Sequence, residues 1–286
     1  MLSFDRVDAI RHILKKYRLA GKTIGFVPTM GALHEGHLDL VSRSKSECDI
    51  TVVSIFVNPT QFNNPEDLEK YPRTLEDDLA KLRRQDVEFV FHPGVDEMYP
   101  PGLSIRDDFD FNGLDDVMEG QFRPGHFAGV GQVVNRLLDI VEPDRLFMGQ
   151  KDFQQVAIVR KMLEQTDHKA LLVMCPTIRA SHGLALSSRN VRLSPSTREK
   201  AACIFEALSW MREQTIQLSV EELKAGFSER CGIPPFKVEY IEIADGHSLR
   251  PVANLSAHSY VVACAAVWAE GVRLIDNMVL VNSTGT

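Results

Sequence analysis

The 286-residue sequence has no excess of positive charge: 32 Lys and Arg stand against 39 Asp and Glu, a formal net charge of −7. An extended polyanion needs a basic footprint, so sequence-independent binding of nucleic acid is not expected. Any small anionic ligand must instead meet a local cluster of cations. Cysteine is sparse. Cys48, Cys175, Cys203, Cys231 and Cys264 are odd in number, widely spaced and form no C-x-x-C. A disulfide framework or a zinc site is therefore not expected, and a reducing, cytoplasmic location fits. Long apolar runs are missing too. The longest, Tyr260 to Ala269, falls far short of the ~20 residues of a membrane helix and reads as a buried strand, so no membrane association is expected. In Met1 to Ala20, Val7, Ile10, Ile13, Leu14 and Tyr17 share one helical face and Asp5 and Asp8 interrupt the apolar character. That predicts an amphipathic helix and not a signal peptide. Repeats, low-complexity tracts and Pro- or Gly-rich linkers are absent from the sequence.

What is present is ordinary globular composition, 44% apolar and 25% charged, with length for one large or two modest domains. Apolar runs at Thr23–Pro28, Ile50–Val57, Val87–Phe91, Asp144–Met148 and Leu171–Cys175 read as strands. Between them, Gly36–Cys48 (Leu38 and Val41 on one side), Thr74–Arg84 (Leu75, Leu79, Leu82), Phe127–Val141 and Phe153–Gln165 read as helices. The alternation predicts an α/β fold: a Rossmann-like parallel sheet with helices on both faces. After about Asn190 the pattern changes. Ser194–Gln214, capped by Ser194 with Pro195 at its first position, and Val220–Glu229 read as helices. Phe236–Ile243, His258–Trp268 and Val272–Met278 read as strands. A smaller α+β C-terminal domain is expected, with the division at 1–188 and 189–286.

Polar residues gather where the strands end, which is where ligands bind in such sheets. Met30-Gly31-Ala32-Leu33-His34-Glu35-Gly36-His37 follows the first of these strands. Its backbone N–H groups at a helix start, with His34 and His37 on one face, read as a phosphate site, or as a loop with two exposed histidines, or as half a metal site. Asn58 and Gln61 follow the second strand and form either a ligand-binding amide pair or a pair that satisfies loop backbone. Gly149-Gln150-Lys151-Asp152, with Gln155 beyond, offers a point charge for a phosphate and an acid that caps a helix, bonds a ribose hydroxyl or contacts Mg²⁺. Arg179 to Asn190, with Leu186-Ser187-Ser188-Arg189 near its end, is either a phosphate-wrapping loop or an interdomain linker. Arg123 and His126 stand at another helix start, where an anion is favoured.

His34-Glu35-Gly36-His37 matches the H-x-G-H signature of the nucleotidyltransferase superfamily. With VPTMGALHEGH, SIFVNPTQF, YPRTLEDDLAKL, RPGHFAGV, KDFQQ, GLALSSRN and RLIDN, the chain from about Leu19 to Asn277 resembles the pantoate–β-alanine ligase family. The resemblance implies ATP-dependent condensation of pantoate with β-alanine through an enzyme-bound pantoyl adenylate, releasing pyrophosphate and then AMP. It implies that Met30, Gly31, Ala32, Leu33, His34, Glu35, Gly36 and His37 bind ATP, together with Gly149, Gln150, Lys151, Asp152, Ile178, Leu186, Ser187, Ser188 and Arg189. Catalytic roles fall to His37, His34 and Lys151. Gln61 and Gln155 are implied for pantoate, Gln61 also for β-alanine, and Arg123 and Asn58 for support of charge. Mg²⁺ and a homodimer are implied as well. The metal ligands stay unassigned, with Asp77-Asp78 the one candidate pair. Two departures from the family pattern are Ser181-His182, where an acid often stands, and Ala128, where an Arg often stands. A relative that transfers the nucleotidyl group to a phosphorylated acceptor, or a nucleotide-binding protein without catalysis, are the competing readings.

Overall fold

Alternation along the strands decides the architecture. In the computed structural model, which describes residues 1–283, the parallel strands are β1 (Leu2–Phe4), β2 (Ile24–Thr29), β3 (Ile50–Ile55), β4 (Phe89–Phe91), β5 (Arg145–Gly149) and β6 (Leu171–Cys175). They form one sheet in the order β1-β4-β3-β2-β5-β6. The connecting helices are α1 (Val7–Leu19), α2 (Glu35–Glu47), α3 (Pro65–Glu69), α4 (Leu75–Arg84), α5 (Val95–Met98), α6 (Glu119–Phe122), α7 (His126–Val141) and α8 (Phe153–Leu163). Phe26, Val52, Phe89, Phe91, Leu146 and Met148 pack with α1, α7 and α8 on one face. Their neighbours Val27, Val53, Val90 and Phe147 pack with α2 and α4 on the other. Both faces are covered, which is why these strands read as unbroken apolar runs instead of alternating ones.

The rest of the chain builds α9 (Pro195–Lys200), α10 (Ala202–Glu213), α11 (Val220–Cys231) and the antiparallel sheet β7 (Lys237–Asp245), β8 (Tyr260–Ala269) and β9 (Val272–Asn282), ordered β7-β8-β9. Val261, Ala263, Ala265 and Val267 face a second core with Leu208, Leu223 and Phe227. Val262 and Cys264 turn the other way, into the core of the first sheet. The apolar run Tyr260 to Ala269 is thus a strand covered on both sides.

Three expectations need correction. The N-terminal stretch is not one helix: Leu2–Phe4 pairs in parallel with Phe89–Phe91 before α1 begins at Val7. An edge strand of three residues carries too little periodicity to stand out from a helical pattern. Leu75 is 37% exposed. It is the first residue of α4, and a helical side chain leans toward the N-terminal turn, so Leu75 overshoots the packing face that Leu79 and Leu82 fill. The stretch 194–214 is two helices that break at Ala201, where ψ is −6°. The expected start is in place: Ser194 Oγ accepts the Thr197 N–H at 3.2 Å, with Pro195 in the first position.

Candidate functional site

The sheet order reverses at β2 and β5, which lie side by side although their following helices leave in opposite directions. At their carboxyl ends lies a cavity of about 200 Å³. Met30, Gly36 and both histidines reach it from β2, Asn58 and Gln61 from β3. Gly149, Lys151, Asp152 and Gln155 reach it from β5, and Ile178, Leu186, Ser187, Ser188 and Arg189 from beyond β6. It adjoins a larger cleft of about 480 Å³, with which it shares Met30, Gln61, Lys151, Asp152, Gln155, Ser187 and Arg189. Arg123 lines only the larger cleft. Gly31, Ala32, Leu33, Glu35 and Gln150 line neither.

Of these, Gly31, Ala32 and Leu33 shape the turn after β2. Gly31 and Ala32 both have positive φ, 82° and 49°. A Cβ on Gly31 would lie 3.1 Å from Asp78 Oδ2, so glycine meets both the backbone angle and the close approach. Asp78, fully buried, accepts the Ala32 and Leu33 N–H groups at 2.8 and 2.7 Å. The Gly31 N–H goes to Thr29 Oγ1 at 3.2 Å. The turn before the helix thus spends its Gly31, Ala32 and Leu33 amides internally, so these are not the open groups expected here. Asp78 is equally unsuited to a metal, because both oxygens are committed to amides.

The histidines cap the start of α2. His34 caps α2, its Nδ1 accepting the Gly36 N–H at 3.2 Å. His37 Nδ1 accepts the His34 N–H at 3.3 Å. With each Nδ1 an acceptor, the ring proton of both residues sits on Nε2. The ring centroids are 4.1 Å apart. Burial, with Lys151 nearby, pushes His34 down to about 4. Burial and then His34 push His37 well below its ordinary value. Both rings are neutral donors at neutral pH, not imidazolium ions.

Asn58 is 1% exposed and its amide is fully used. Its Nδ2 donates to Thr60 Oγ1 at 2.9 Å, to the Gly129 carbonyl at 3.2 Å and to Gln61 Oε1 at 3.3 Å, while Tyr99 Oη donates to its Oδ1 at 2.9 Å. It holds Gln61 and offers no spare group. Gln61 Nε2 meets Met30 Sδ at 3.1 Å. The expected anion role of His126 is corrected too. Its Nδ1 donates to the Gln61 carbonyl at 2.8 Å and its Nε2 accepts from Arg123 Nη1 at 3.2 Å. Burial, then Arg123, push its pKa down to about 3.

On the β5 side, Lys151 Nζ lies 3.4 Å from Asp152 Oδ1. The Asn277 side chain of β9 accepts from Gln150 Nε2 at 3.2 Å and donates to the Gln150 and Lys151 carbonyls. Ser188 Oγ donates to the Ala32 carbonyl at 3.0 Å, tying the serine loop to the β2 turn. Arg189 Nη2 donates to Asp67 Oδ2 at 2.8 Å. Of the two departures from the family pattern, His182 Nε2 contacts the Arg198 carbonyl at 3.0 Å and Ala128 is exposed. Among the described residues no group of three or more His, Cys, Asp or Glu could hold a metal ion.

Residues the sequence reading passed over include Asp67, Asn277 and a network at the mouth of the larger cleft. There Arg273 donates to both Glu119 oxygens at 2.6 Å and Tyr240 Oη donates to Glu119 Oε1 at 2.9 Å. Arg179 and Asp276 form a two-pronged pair at 2.5 and 2.9 Å. Only RLIDN, which holds Arg273, Asp276 and Asn277, carried a signal for them.

A parallel sheet with its cavity at the reversal point, lined by two neutral imidazoles and two cationic side chains, gives the architecture of a Rossmann-like α/β enzyme. The sequence profile of the family described as pantoate-beta-alanine ligase matches residues 3–279. Pantothenate synthetase of Bacteroides thetaiotaomicron is 49% identical over 266 residues, 93% of this chain and 94% of the relative. That of Porphyromonas gingivalis is 46% identical over 277 residues, 96% and 98% of the two chains. A crystal structure of the Thermus thermophilus enzyme superposes with a TM-score of 0.91 at 41% identity, covering 98% of this chain and 100% of that one. Pantoate-beta-alanine ligase from Francisella tularensis, complexed with beta-gamma ATP and beta-alanine, superposes with a TM-score of 0.80 at 36% identity, with 98% of each chain covered. The chain belongs to the pantoate–β-alanine ligase family and is an enzyme that ligates. No helix among the described residues is long and apolar enough to cross a membrane.

Proposed function

We propose that this enzyme condenses pantoate with β-alanine at the expense of ATP, through a pantoyl adenylate, giving pantothenate, AMP and pyrophosphate. The observation that carries the reading is the convergence of two Nε2–H imidazoles, Lys151 and Arg189 on one cavity. In the first step the pantoate carboxylate attacks the α-phosphorus of ATP. A P–O bond forms and pyrophosphate leaves. A carboxylate is already a nucleophile, so no base is required. The difficulty is bringing one anion to another, and positioning with charge stabilisation meets it. His34 and His37 donate to phosphate oxygens as neutral groups, Lys151 and Arg189 supply charge, and Asp152 takes the ribose. Gln61 and Gln155 hold pantoate, with Asn58 fixing Gln61. Magnesium, which the family resemblance implies, would neutralise phosphate charge when bound together with ATP. In the second step the β-alanine amine attacks the acyl carbon, the C–N bond forms, the C–O bond breaks and AMP departs. The segment 189–286 is proposed as a lid domain that shields the adenylate from water. A homodimer and a cytoplasmic location complete the proposal, on the strength of the family resemblance.

The test is pyrophosphate and AMP release with each substrate omitted in turn. Pyrophosphate release that requires pantoate, and AMP release that requires β-alanine, support the reading. AMP formation at an unchanged rate without β-alanine overturns it. A requirement for a phosphorylated acceptor in place of pantoate identifies nucleotidyl transfer instead.

A further inference from the structure

We propose that Asp67 is a positioning residue that sets phosphate affinity by competing with the ligand for Arg189; the proposal rests on the reading of Arg189 as a phosphate-binding group. Asp67 lies in α3, outside every strand-end segment that lines the inner cavity, and it borders only the larger cleft. Its carboxylate takes the Nε–Nη2 edge of Arg189, with Oδ2 2.8 Å from Nη2 and Oδ1 3.5 Å from Nε. That is the edge on which a guanidinium clamps two oxygens of a phosphate side by side. One edge cannot serve two such partners at full strength, so carboxylate and phosphate exclude each other there. The Tyr71 ring lies 5.4 Å from the guanidinium and backs it.

A second arginine makes the exchange inexpensive. Arg192 Nη1 is 3.5 Å from the same Asp67 Oδ1. When Arg189 turns to a phosphate, Asp67 keeps a cationic partner and no half-buried carboxylate is orphaned, which is the costly outcome of breaking such a pair. The arrangement is thus a relay of one carboxylate between two arginines. Glu66, next in the chain, gives a built-in comparison: it is exposed and pairs with Lys70 at 3.1 Å, touching neither arginine.

The sign of one affinity change separates competition from simple support. Binding of inorganic pyrophosphate to the full chain is measured by titration calorimetry for the wild type, Asp67→Asn, Asp67→Ala, Asp67→Glu and Glu66→Gln. If Asp67 competes, Asp67→Asn and Asp67→Ala bind pyrophosphate about three- to fivefold more tightly, Asp67→Glu matches the wild type, and Glu66→Gln shifts less than about twofold. If Asp67 only props Arg189 in place, both neutral variants bind more weakly, and the proposal is overturned. Equal tightening by Glu66→Gln also overturns it, because the effect is then general charge. A wild-type chain that fails to bind pyrophosphate at all overturns the phosphate reading of the site itself, an outcome distinct from the other two.

Discussion

Asn277 Nδ2 donates to the backbone carbonyls of both Gln150 and Lys151, at 2.8 and 2.9 Å. A side chain near the end of the sequence thereby fixes the turn that carries the cavity's lysine. Asn277→Ala removes both bonds and leaves two carbonyls short of a donor, a cost of about 1–3 kcal/mol. The expected outcome is a lower unfolding midpoint together with a raised KM for ATP, read by thermal denaturation and pyrophosphate release.

His37→Ala and Lys151→Ala address the proposed chemistry directly. Each removes one proposed phosphate donor, and losses of about a hundredfold in pantoate-dependent pyrophosphate release are expected. The ion-pair partner of Lys151 is its chain neighbour Asp152, at 3.4 Å, so the loss of the lysine should leave the melting temperature near that of the wild type. Wild-type rates in both variants would remove the phosphate site.

Acid should loosen this fold earlier than its carboxylates alone require. His34 is held down to about 4 and His126 to about 3, against an ordinary value of 6.5. Below pH 6.5 the unfolded chain takes up protons that the folded chain refuses, so stability falls as pH drops through that value and is fully restored above it. Between pH 6.5 and about 5, above the carboxylate range, histidines dominate the slope. His126→Gln keeps a donor toward the Gln61 carbonyl and should flatten the fall. Denaturant midpoints across this window test it, and an identical slope in the variant counts against the assignment.

Gly129 of α7 sits against the loop that carries Gln61. A Cβ there would fall 2.6 Å from the Thr60 carbonyl oxygen and 2.9 Å from Gln61 Cα, both backbone atoms that cannot swing aside. Gly129→Ala is expected to raise KM for pantoate by ~10-fold while KM for ATP holds. Steady-state kinetics with each substrate varied separates the two.

Arg179 and Asp276 are coupled across the chain, and Asp276 is 3% exposed. Asp276→Asn strands most of a cation's partnership and should cost about 3 kcal/mol in urea unfolding. In the double variant Arg179→Met/Asp276→Leu the loss should be smaller than the sum of the single losses, since neither charge is left behind.

The sequence is most legible where local pattern and tertiary packing say the same thing. Leu171–Cys175 matches β6 residue for residue, and β2, β3 and β5 lie within a residue or two of the expected ranges. Their unbroken apolar character comes from burial on two faces, and that is written into neighbouring positions. The strand-end motifs are legible for the same reason: they are contiguous. Asp67, Asn277 and Asp276 are not, because each acts on a residue far along the chain, Asp67 on Arg189 and Asn277 on Gln150. Spacing misleads for Asp78 and His126, because it shows which groups are near a helix start but not which bonds they have already made. A carboxylate two amides deep and an imidazole with both nitrogens engaged look, in sequence, like free chemistry.

The two sides of this pocket differ in how far they can adapt. Ala32 and Leu33, which line neither cavity, are locked to Asp78, and the two lining histidines accept the Gly36 and His34 N–H groups, so the turn that carries that wall has no slack to mould itself around a guest. The work of arranging its donors is done once, on folding, and is not repeated with every catalytic cycle. On the proposed reading, selection among polyphosphates would fall to fit against a rigid ruler of two rings, while the opposite wall, with the arginine proposed to exchange partners, would accommodate the change in shape as one phosphate bond is traded for another.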